Sequence, residues 1–373
     1  MRVGVPKEIK NHEYRVGLTP SGAHELFHSG HEVWIERNAG AAIGYTDDHY
    51  VAVGARIAET AREIYAEAEM IVKVKEPQPV ELAQLQSGQI LYAYLHLAPD
   101  PEQTEGLVKS GAICVAYETV TDRDGGLPLL APMSEVAGRM AIQAAARALE
   151  KSQGGSGVLL GGVPGVAPAH VTVIGGGVVG LHAARMAMGL GADVTVIDRS
   201  LPRLRQIDND FGGRIKTLYS TRHAVEDELK LADAVIGAVL IPGAAAPKLV
   251  SREQLKLMQP GSVLVDVAID QGGCFETSHP TTHQSPTFVV DGVTHYCVAN
   301  MPGGVARTST QALTHATLQY AKVIADKGVK RALLEDALLR DGLNVCRGAV
   351  TYEAVAAQLG YDYVLATTAL ERL

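Results

Sequence analysis

The fold is decided by the stretch VTVIGGGVVG at residues 171–180. Gly175, Gly177 and Gly180 satisfy the pattern G-x-G-x-x-G, an apolar strand precedes them, and residues 178–190 have helical composition. In such a unit the first glycine permits a tight turn, the second lets the backbone approach a pyrophosphate, and the third allows close helix–strand packing. The stretch therefore predicts a dinucleotide-binding site; the alternative is a purely structural glycine turn.

The predicted strand that follows, residues 193–198, ends in Asp198, eighteen residues after Gly180. A carboxylate there accepts hydrogen bonds from the adenosine ribose and repels a 2′-phosphate, which favours NAD over NADP. Arg199 and Arg203 lie close by and oppose that preference. We expect NAD to be the cofactor.

Short apolar runs alternate with helical patterns before this motif. Strands are predicted at residues 2–6, 31–36, 70–74, 89–94 and 112–117, and helices at residues 20–29, 60–66, 79–85 and 101–110. Thr19 followed by Pro20 is a helix start signal, an N-cap and then proline at the first helical position. Strict alternation of strands and helices predicts parallel βαβ units and a sheet covered on both faces.

A long helix at residues 132–152 and a loop at 154–168 lead into the second series of strands. These strands are predicted at residues 171–174, 193–198, 215–218, 234–239, 262–267, 288–290 and 294–298. The remainder, from residue 307, is expected to be helical throughout. A segment without strands cannot form its own sheet, so we expect it to return to the first domain.

The expected fold class is α/β, with two Rossmann-like doubly wound parallel-sheet domains joined by long hinge helices. The first domain is discontinuous, with residues 1–131 plus 307–373, and the second comprises residues 132–306. We expect the first domain to bind the substrate, the second to bind NAD, and the two to close during catalysis.

Composition excludes several classes of protein. Of 373 residues, 47% are hydrophobic, and 33 Lys and Arg against 41 Asp and Glu give a net charge of −8. That balance argues against nucleic-acid binding, and no basic amphipathic segment suits a membrane surface. The four scattered cysteines indicate free thiols in a reducing compartment. With no signal-peptide pattern at the N-terminus, we expect a cytoplasmic protein without nucleic-acid or membrane partners.

Parallel α/β sheets bind ligands beyond the carboxyl ends of their strands. The candidate catalytic groups are therefore sought among the residues that follow the predicted strands. They are Arg15, Lys75, His96, Asp270, Asn300 and Met301. Each has an alternative: Lys73 and Lys75 on the polar face of an edge strand, His96 as a core histidine, Asp270 as a cap, and Arg15 as a solvated loop charge. The histidine pair 24/28 has no nearby carboxylate or cysteine to complete a ligand set, and Pro280 and Pro286 disfavour a continuous helix at the pair 279/283, so no metal is expected.

Four motifs together carry a family resemblance. They are GVPKE at residues 4–8 with Asn11, Glu13, Arg15-Val16 and Thr19-Pro20; GGVPGVAP at 161–168 running into the glycine turn; DQGG at 270–273; and VANMPG at 298–303. Over essentially its whole length, the chain resembles the NAD-dependent alanine dehydrogenases of the alanine dehydrogenase/pyridine nucleotide transhydrogenase family.

The resemblance implies reversible oxidative deamination of L-alanine to pyruvate and ammonia with reduction of NAD to NADH. It implies that Arg15 and Lys75 bind the substrate carboxylate, Arg15 as a two-pronged clamp, that His96 is the acid/base, and that Asp270 helps proton transfer and orients the hydrolytic water. It also suggests a homohexamer. The cofactor contacts that it implies are Ser134, Gly175, Gly177, Val178, Val179, Gly180, Asp198, Arg203, Ser220, Val239, Leu240, Val267, Ile269, Asp270, Val298, Asn300 and Met301.

One departure and three rival functions accompany this resemblance. His279 stands where some relatives carry an arginine near the cofactor phosphates. The NAD-binding component of a transhydrogenase is expected to lack part of the set Arg15, Lys75, His96 and Asp270, and to continue into membrane helices. A saccharopine-type dehydrogenase needs further cationic groups for its larger substrate. The third rival is an NAD-binding regulator without catalysis.

Overall fold

The computed structural model describes residues 1–239 and 247–373, and these form two units, each with its own sheet. The first unit comprises Met1–Met133 and Val305–Leu373, and the second comprises Ser134–Gly304. The first unit is thus built from two separate parts of the chain. The described part of the chain contains no helix of the length and apolarity needed to cross a membrane.

The elements follow one another in a regular βα order. The first part of the chain contains β1 (Arg2–Val5), α1 (Pro20–His28), β2 (Glu32–Glu36), α2 (Asp47–Val51), β3 (Arg56–Ala58), α3 (Ala61–Glu67), β4 (Met70–Val72), α4 (Pro79–Leu82), β5 (Ile90–Ala93), α5 (Pro101–Ser110) and β6 (Ile113–Ala116). The start signal at α1 is confirmed, since the Thr19 side chain accepts a hydrogen bond from Gly22 N and Pro20 is the first helical residue.

The second part begins within the long helix α6. It contains α6 (Ala131–Ala148), β7 (His170–Ile174), α7 (Val178–Gly189), β8 (Asp193–Asp198), α8 (Leu201–Phe211), β9 (Lys216–Tyr219), α9 (Arg222–Leu231), β10 (Ala234–Gly237), α10 (Arg252–Leu255), β11 (Val263–Asp266), β12 (Thr287–Val290) and β13 (Val293–Tyr296). The last part contains α11 (Ala306–Lys327), α12 (Val329–Glu335), α13 (Ala337–Arg340), β14 (Leu343–Cys346), β15 (Ala349–Val350), α14 (Glu353–Leu359) and α15 (Ala366–Glu371).

The two sheets share a doubly wound strand order. In the first unit the order is β15-β14-β6-β5-β4-β1-β2-β3, and β1 to β6 run parallel. In the second unit the order is β12-β13-β11-β10-β7-β8-β9, in which only the edge strand β12 is antiparallel. In each sheet the winding direction reverses next to the first strand, between β1 and β4 and between β7 and β10. Such a switch point opens a crevice at the carboxyl ends of the strands.

Alternating residues of the second sheet belong to two different cores. Val173 and Val265 pack in one apolar cluster with residues of α6 and α7, whereas Ile197 and Leu264 pack in another on the opposite face. A sheet buried on both faces requires strands that are apolar at successive positions. The predicted α/β fold class, with doubly wound and mostly parallel sheets, is confirmed.

The C-terminal part departs from the expectation. The prediction that residues after 307 are helical throughout was wrong, because β14 and β15 form a hairpin that pairs antiparallel with β6 and extends the first sheet. Its turn is Arg347-Gly348, with φ of +45° and +87°, the backbone conformation that tight hairpins favour. The short strand β3, at the other edge of that sheet, was also not predicted.

Candidate functional site

Three of the four residues expected to perform the chemistry follow neighbouring strands of the first unit. Arg15 lies in the segment after β1, Lys75 follows β4 and His96 follows β5, and these strands are adjacent in the sheet. Arg15 and Lys75 therefore flank the switch point. The buried Tyr94 interacts electrostatically with Arg15 and stacks on His96, so it links two of them. The structure therefore places Arg15, Lys75 and His96 beyond the carboxyl ends of three adjacent strands.

Arg15 is buried, with 2% of its side chain exposed, so the alternative of a solvated loop charge was wrong. Its Nε donates to Glu13 Oε1 at 2.7 Å, and its Nη2 donates to Glu13 Oε2 at 2.6 Å. Burial alone would lower the pKa of the guanidinium, but the hydrogen bonds and charge of Glu13 raise it, which keeps Arg15 charged. Because Glu13 takes the Nε–Nη2 edge, a two-pronged contact with a substrate must use the Nη1–Nη2 edge, where Nη1 also contacts Met133 Sδ.

A buried ion cluster supports the segment that carries Lys75. Lys73 Nζ, fully buried, lies 3.1 Å from Glu8 Oε2 and 2.7 Å from Glu81 Oε1. The other oxygen of Glu8 accepts hydrogen bonds from Val74 N at 2.7 Å and Lys75 N at 3.3 Å. The alternative that both lysines line an edge strand was wrong, because β4 lies between β1 and β5. Glu8 thus fixes the backbone from which the Lys75 side chain projects.

The Lys75 side chain is itself 12% exposed, and its Nζ lies 3.5 Å from Glu76 Oε2. Burial would raise the pKa of Glu76, but Lys75 and Lys10 lower it overall, so this carboxyl is ionised. Oε2 of Glu76 is buried and accepts no hydrogen bond within the described part of the chain. The Lys75 ammonium therefore faces a carboxylate at ion-pair distance, the same chemistry that it would offer to an amino-acid substrate.

His96 has an unusual backbone conformation, and its ring contacts two neighbouring side chains. Its φ is +49°, and 45% of its side chain is exposed, so the alternative of a core histidine was wrong. The ring stacks on Tyr94 with centroids 5.8 Å apart and planes inclined by 6°. His96 Nδ1 lies 3.8 Å from Glu118 Oε1, and His96 N donates to the same oxygen at 2.6 Å. An accessible imidazole held in this way can exchange a proton with a bound ligand.

The glycine turn lies at the switch point of the second sheet. Gly175 follows β7 with φ of +107°, and a Cβ at this position would lie 2.7 Å from Ala238 O, in the segment after β10. At Gly180 a Cβ would lie 1.8 Å from Gly175 O, whereas at Gly177 it would meet nothing within 4 Å. Two glycines are thus needed for packing, and Gly177 leaves open space at the first turn of α7. This arrangement fits a pyrophosphate, which binds backbone N–H groups at a helix N-terminus.

Asp198 supports this turn from the end of β8. Its Oδ2 accepts a hydrogen bond from Gly176 N at 2.6 Å, and its Oδ1 accepts one from Ser200 N at 2.7 Å. Arg203 Nε donates to Gly176 O, and its Nη1 donates to Gln206 Oε1 at 2.6 Å. The Asp198 carboxylate has further lone pairs that can accept hydrogen bonds from a ribose hydroxyl. The contacts of Asp198 and Arg203 are therefore compatible with those expected with the cofactor.

The other residues expected to contact the cofactor lie mostly along the same edge of the second sheet. The glycine turn and the first helical residues Val178 and Val179 follow β7, and the residues that follow the other parallel strands are Ser220, Val239, Val267, Ile269, Asp270, Val298, Asn300 and Met301. Ser134 lies in α6, and Leu240 lies outside the described residues. Asn300 has φ of +67°, and its carbonyl accepts a hydrogen bond from His283 Nε2 at 3.0 Å.

Asp270, the fourth candidate for the chemistry, belongs to this second unit. It is exposed in a single 3₁₀ turn, Ile269–Gln271, in which Ala268 rather than Asp270 is the capping residue. The turn is anchored by Asp266, which is buried and accepts hydrogen bonds from Ala268 N at 3.2 Å and Cys274 N at 2.9 Å. Burial raises the pKa of Asp266. Asp266 thereby fixes both ends of the segment that carries Asp270.

Sequence reasoning missed the supporting carboxylates Glu8, Glu13, Glu118 and Asp266. Glu118 lies two residues beyond β6, so the rule that selected Lys75 and His96 would also have selected it. Glu8 and Glu13 stand in a family motif and Asp266 in a predicted strand, but nothing in a single sequence shows that these acids are buried or which groups they bind. Within the described residues, no group of three or more His, Cys, Asp or Glu side chains is arranged to hold a metal ion.

Comparisons with known proteins agree with this architecture. The family model described as "Alanine dehydrogenase/PNT, N-terminal domain" matches residues 4–137, and that described as "Alanine dehydrogenase/PNT, C-terminal domain" matches residues 141–353. Alanine dehydrogenase of Halomonas elongata is 61% identical over 368 residues, which are 99% of each chain. Alanine dehydrogenase of Bacillus subtilis is 55% identical over 372 residues, covering 100% of this chain and 98% of the relative.

The chain belongs to the alanine dehydrogenase family. The solved structure of an L-alanine dehydrogenase matches with a TM-score of 0.93 at 50% identity, covering 96% of this chain and 99% of that one. A transhydrogenase from Sinorhizobium meliloti matches with a TM-score of 0.81 at 26% identity, covering 95% and 100%. As a member of the alanine dehydrogenase family, the chain is an oxidoreductase that uses a nicotinamide cofactor.

Proposed function

We propose that the chain catalyses the reversible oxidative deamination of L-alanine to pyruvate and ammonia, with NAD reduced to NADH. The observation that carries the proposal is the gathering of Arg15, Lys75 and His96 at the carboxyl ends of three adjacent parallel strands. Two cations can bind a carboxylate through charge-assisted hydrogen bonds, and an imidazole can exchange a proton with an amine or a carbonyl group. The full-length similarity to alanine dehydrogenases supports the assignment.

Arg15 and Lys75 bind the carboxylate of alanine in this proposal. Arg15 is buried and kept charged by Glu13, and the Lys75 backbone is fixed by Glu8. The Arg15 guanidinium is therefore held in place before the substrate binds, and less side-chain entropy is lost on binding. The substrate carboxylate meets the Nη1–Nη2 edge of Arg15 and the ammonium of Lys75.

His96 takes a proton from the ammonium group of alanine, which frees the nitrogen lone pair needed to expel hydride from the α-carbon. The resulting iminium adds water, and the carbinolamine collapses to pyruvate and ammonia. Asp270 orients that water and helps to move its proton. In the reverse direction His96 donates the proton. Positioned acid–base groups of this kind contribute roughly 10²- to 10⁴-fold in rate.

Bound NAD supplies the hydride acceptor. Gly175, Gly177 and Gly180 form the turn that receives its pyrophosphate, and the N–H groups of the first turn of α7 bind the phosphate oxygens. Asp198 accepts hydrogen bonds from the adenosine ribose and disfavours a 2′-phosphate, so NAD is preferred over NADP. Arg203 donates hydrogen bonds to Gly176 O and to the side chain of Gln206, so two of its nitrogen donors are already engaged and fewer remain for a phosphate.

We further propose that residues 1–131 with 307–373 form the substrate domain and residues 132–306 the NAD domain, and that the enzyme is a cytoplasmic homohexamer. All four cysteines are buried and unpaired, which suits a reducing compartment. Light scattering coupled to size exclusion tests the assembly: a mass near six times 39.4 kDa is expected, and a monomer or dimer contradicts it.

The activity is tested by NADH absorbance with L-alanine, D-alanine, L-lysine or L-glutamate as substrate and NAD or NADP as cofactor. We expect turnover with L-alanine and NAD. The variant His96→Ala should lose on the order of a hundredfold or more in kcat, while it still binds NADH. Turnover with lysine instead of alanine would indicate the saccharopine-type alternative. NADH binding without any turnover would indicate a regulator.

A further inference from the structure

Glu118 makes an unusual set of contacts for a side chain at the end of a strand. It lies in the 3₁₀ turn Tyr117–Thr119 after β6, and only 12% of its side chain is exposed. Its Oε1 accepts hydrogen bonds from Leu95 N at 3.1 Å and His96 N at 2.6 Å, and its Oε2 lies 3.2 Å from Leu95 N. One carboxylate thus binds two consecutive backbone N–H groups of the segment after β5.

These contacts stabilise a strained backbone. The φ of His96 is +49°, and such a conformation costs a non-glycine residue about 1–3 kcal/mol. It persists only where surrounding interactions over-determine it. Glu118 supplies two such interactions at the strained residue and its neighbour. The direction in which the His96 side chain leaves the backbone therefore depends on Glu118.

The His96 ring lies near the same carboxylate and stacks on Tyr94. Nδ1 lies 3.8 Å from Glu118 Oε1, and one ring face is parallel to Tyr94. Tyr94 is itself fixed, because it is buried and its hydroxyl donates to Leu129 O. This arrangement places Nδ1 on the side of the Glu118 carboxylate and leaves Nε2 as the ring nitrogen away from it.

We propose that Glu118 is a positioning residue for the deamination, which it promotes through His96 by holding its backbone, directing Nδ1 and presenting Nε2 to the amino group of the substrate. The inference rests on the proposed function of the chain. Glu118 has no contact with the substrate carboxylate in this scheme, so it contributes to turnover and not to substrate binding.

The test compares Glu118→Gln with Asp336→Asn, each alone, and Glu118→Gln also in a His96→Ala background. Glutamine keeps the size and one acceptor oxygen of Glu118 but removes its charge. Asp336 is a matched control in the same unit, because its carboxylate also accepts two consecutive backbone N–H groups, those of Leu338 and Leu339, at the start of α13. Rates are expressed per NADH-binding site, determined by fluorescence titration, so that misfolded protein does not enter kcat.

In Glu118→Gln we expect kcat for L-alanine to fall on the order of ten- to a hundredfold, as for other residues that orient a reactive histidine. KM should change by less than about threefold, because Arg15 and Lys75 remain. Asp336→Asn should retain the wild-type kcat. In the His96→Ala background the Glu118 substitution should have no further effect, since a residue that acts through another is silent once that residue is absent.

An unchanged kcat in Glu118→Gln, a rise in KM alone, or an undiminished effect in the His96→Ala background would overturn the proposal. Failure of the proposed function is a separate result, seen as wild-type protein that makes no NADH from L-alanine. In that case ¹⁵N-histidine spectra still test the geometry. The wild type should show the His96 proton on Nδ1, and Glu118→Gln should shift that signal. A signal that does not change would refute the contact.

Discussion

The six parallel strands of the two units have the same order, but the residues at the two switch points differ. Each sheet reverses its winding beside its first strand, β1 in one and β7 in the other. After β7 the switch point carries three glycines, so the backbone itself is exposed. After β1 it carries Arg15, with Lys75 after the neighbouring strand. The shared topology thus places a crevice at the switch point of each sheet. The residues at that point determine whether the crevice is fit to bind phosphates or a carboxylate.

The supporting residues differ correspondingly. The glycine turn requires residues without side chains. At Gly180, for example, a Cβ would overlap Gly175 O. The first unit needs charged side chains in a poorly solvated place, and each is accompanied by a carboxylate: Glu13 for Arg15, Glu8 for the Lys75 backbone and Glu118 for His96. Substitutions should therefore damage the two units for different physical reasons.

The largest effect is expected from Arg15→Ala. It removes the guanidinium that both oxygens of the buried Glu13 contact, and breaking a buried ion pair costs roughly 3–5 kcal/mol. Urea denaturation should show this loss, together with the loss of turnover. The matched variant Lys75→Ala should raise KM for L-alanine strongly and lower the free energy of unfolding by less than Arg15→Ala does, because Glu76 keeps its ion pair with Lys10. Equal stability losses in the two variants would contradict the distinction.

Two glycine variants should separate packing from cofactor binding in the other unit. In Gly180→Ala the new Cβ meets Gly175 O, and overpacking of this kind costs about 1–3 kcal/mol. In Gly177→Ala the Cβ enters open space, so thermal stability should remain unchanged while NADH affinity falls on the order of tenfold. Fluorescence titration and thermal denaturation together test the pair. Normal NADH affinity in Gly177→Ala would mean that the pyrophosphate binds elsewhere.

The carboxylate at the end of β8 should set the cofactor preference. Asp198→Asn removes the charge that repels a 2′-phosphate, so the ratio of kcat/KM for NADP to that for NAD should rise about tenfold. Asp193→Asn, at the start of the same strand, is the control and should leave the ratio unchanged. The measurement is initial rates with both cofactors. An equal change in both variants would exclude a specific role for Asp198.

The smallest expected effect concerns pH and a cluster at the amino ends of β7 and β8. His170 Nε2 lies 2.6 Å from Glu228 Oε2, and that hydrogen bond raises the pKa of His170 although burial opposes it. A raised folded-state pKa stabilises the protein below the ordinary histidine value and loses that contribution as pH rises through the raised value. The wild type should therefore exceed His170→Gln in stability at pH 6 by roughly 1 kcal/mol or less, and by less at pH 8.5. Urea denaturation at both pH values is the test. A stability difference between the two proteins that grows with pH would contradict the raised pKa of His170.

Much of the fold could be predicted because its signals are local. Thr19-Pro20 marks a helix start, and the glycine turn marks a strand, a turn and a helix within ten residues. The hairpin at β14 and β15 was missed because its strands are four and two residues long and follow a helical series. The turn residues Arg347-Gly348 were the available signal, and arginine is an uncommon residue at such a turn.

The site could be predicted only in part. The rule that functional groups follow strand ends selected Arg15, Lys75 and His96, and their catalytic roles remain predictions. The carboxylates that hold them could not be assigned from a single sequence. Glu118 is 22 residues from His96, and Glu8 is 66 residues from Val74, whose N–H it binds. Such pairs become neighbours only through the sheet order, and burial then makes the pairing necessary.

A crystal structure of the protein with pyruvate and NADH would show where each ligand binds. We expect the pyruvate carboxylate to lie within about 3.2 Å of both an Arg15 nitrogen and Lys75 Nζ, and the pyrophosphate to lie at the first turn of α7. Pyruvate bound away from these two cations, or a pyrophosphate bound away from the glycine turn, would contradict the division of tasks between the two units.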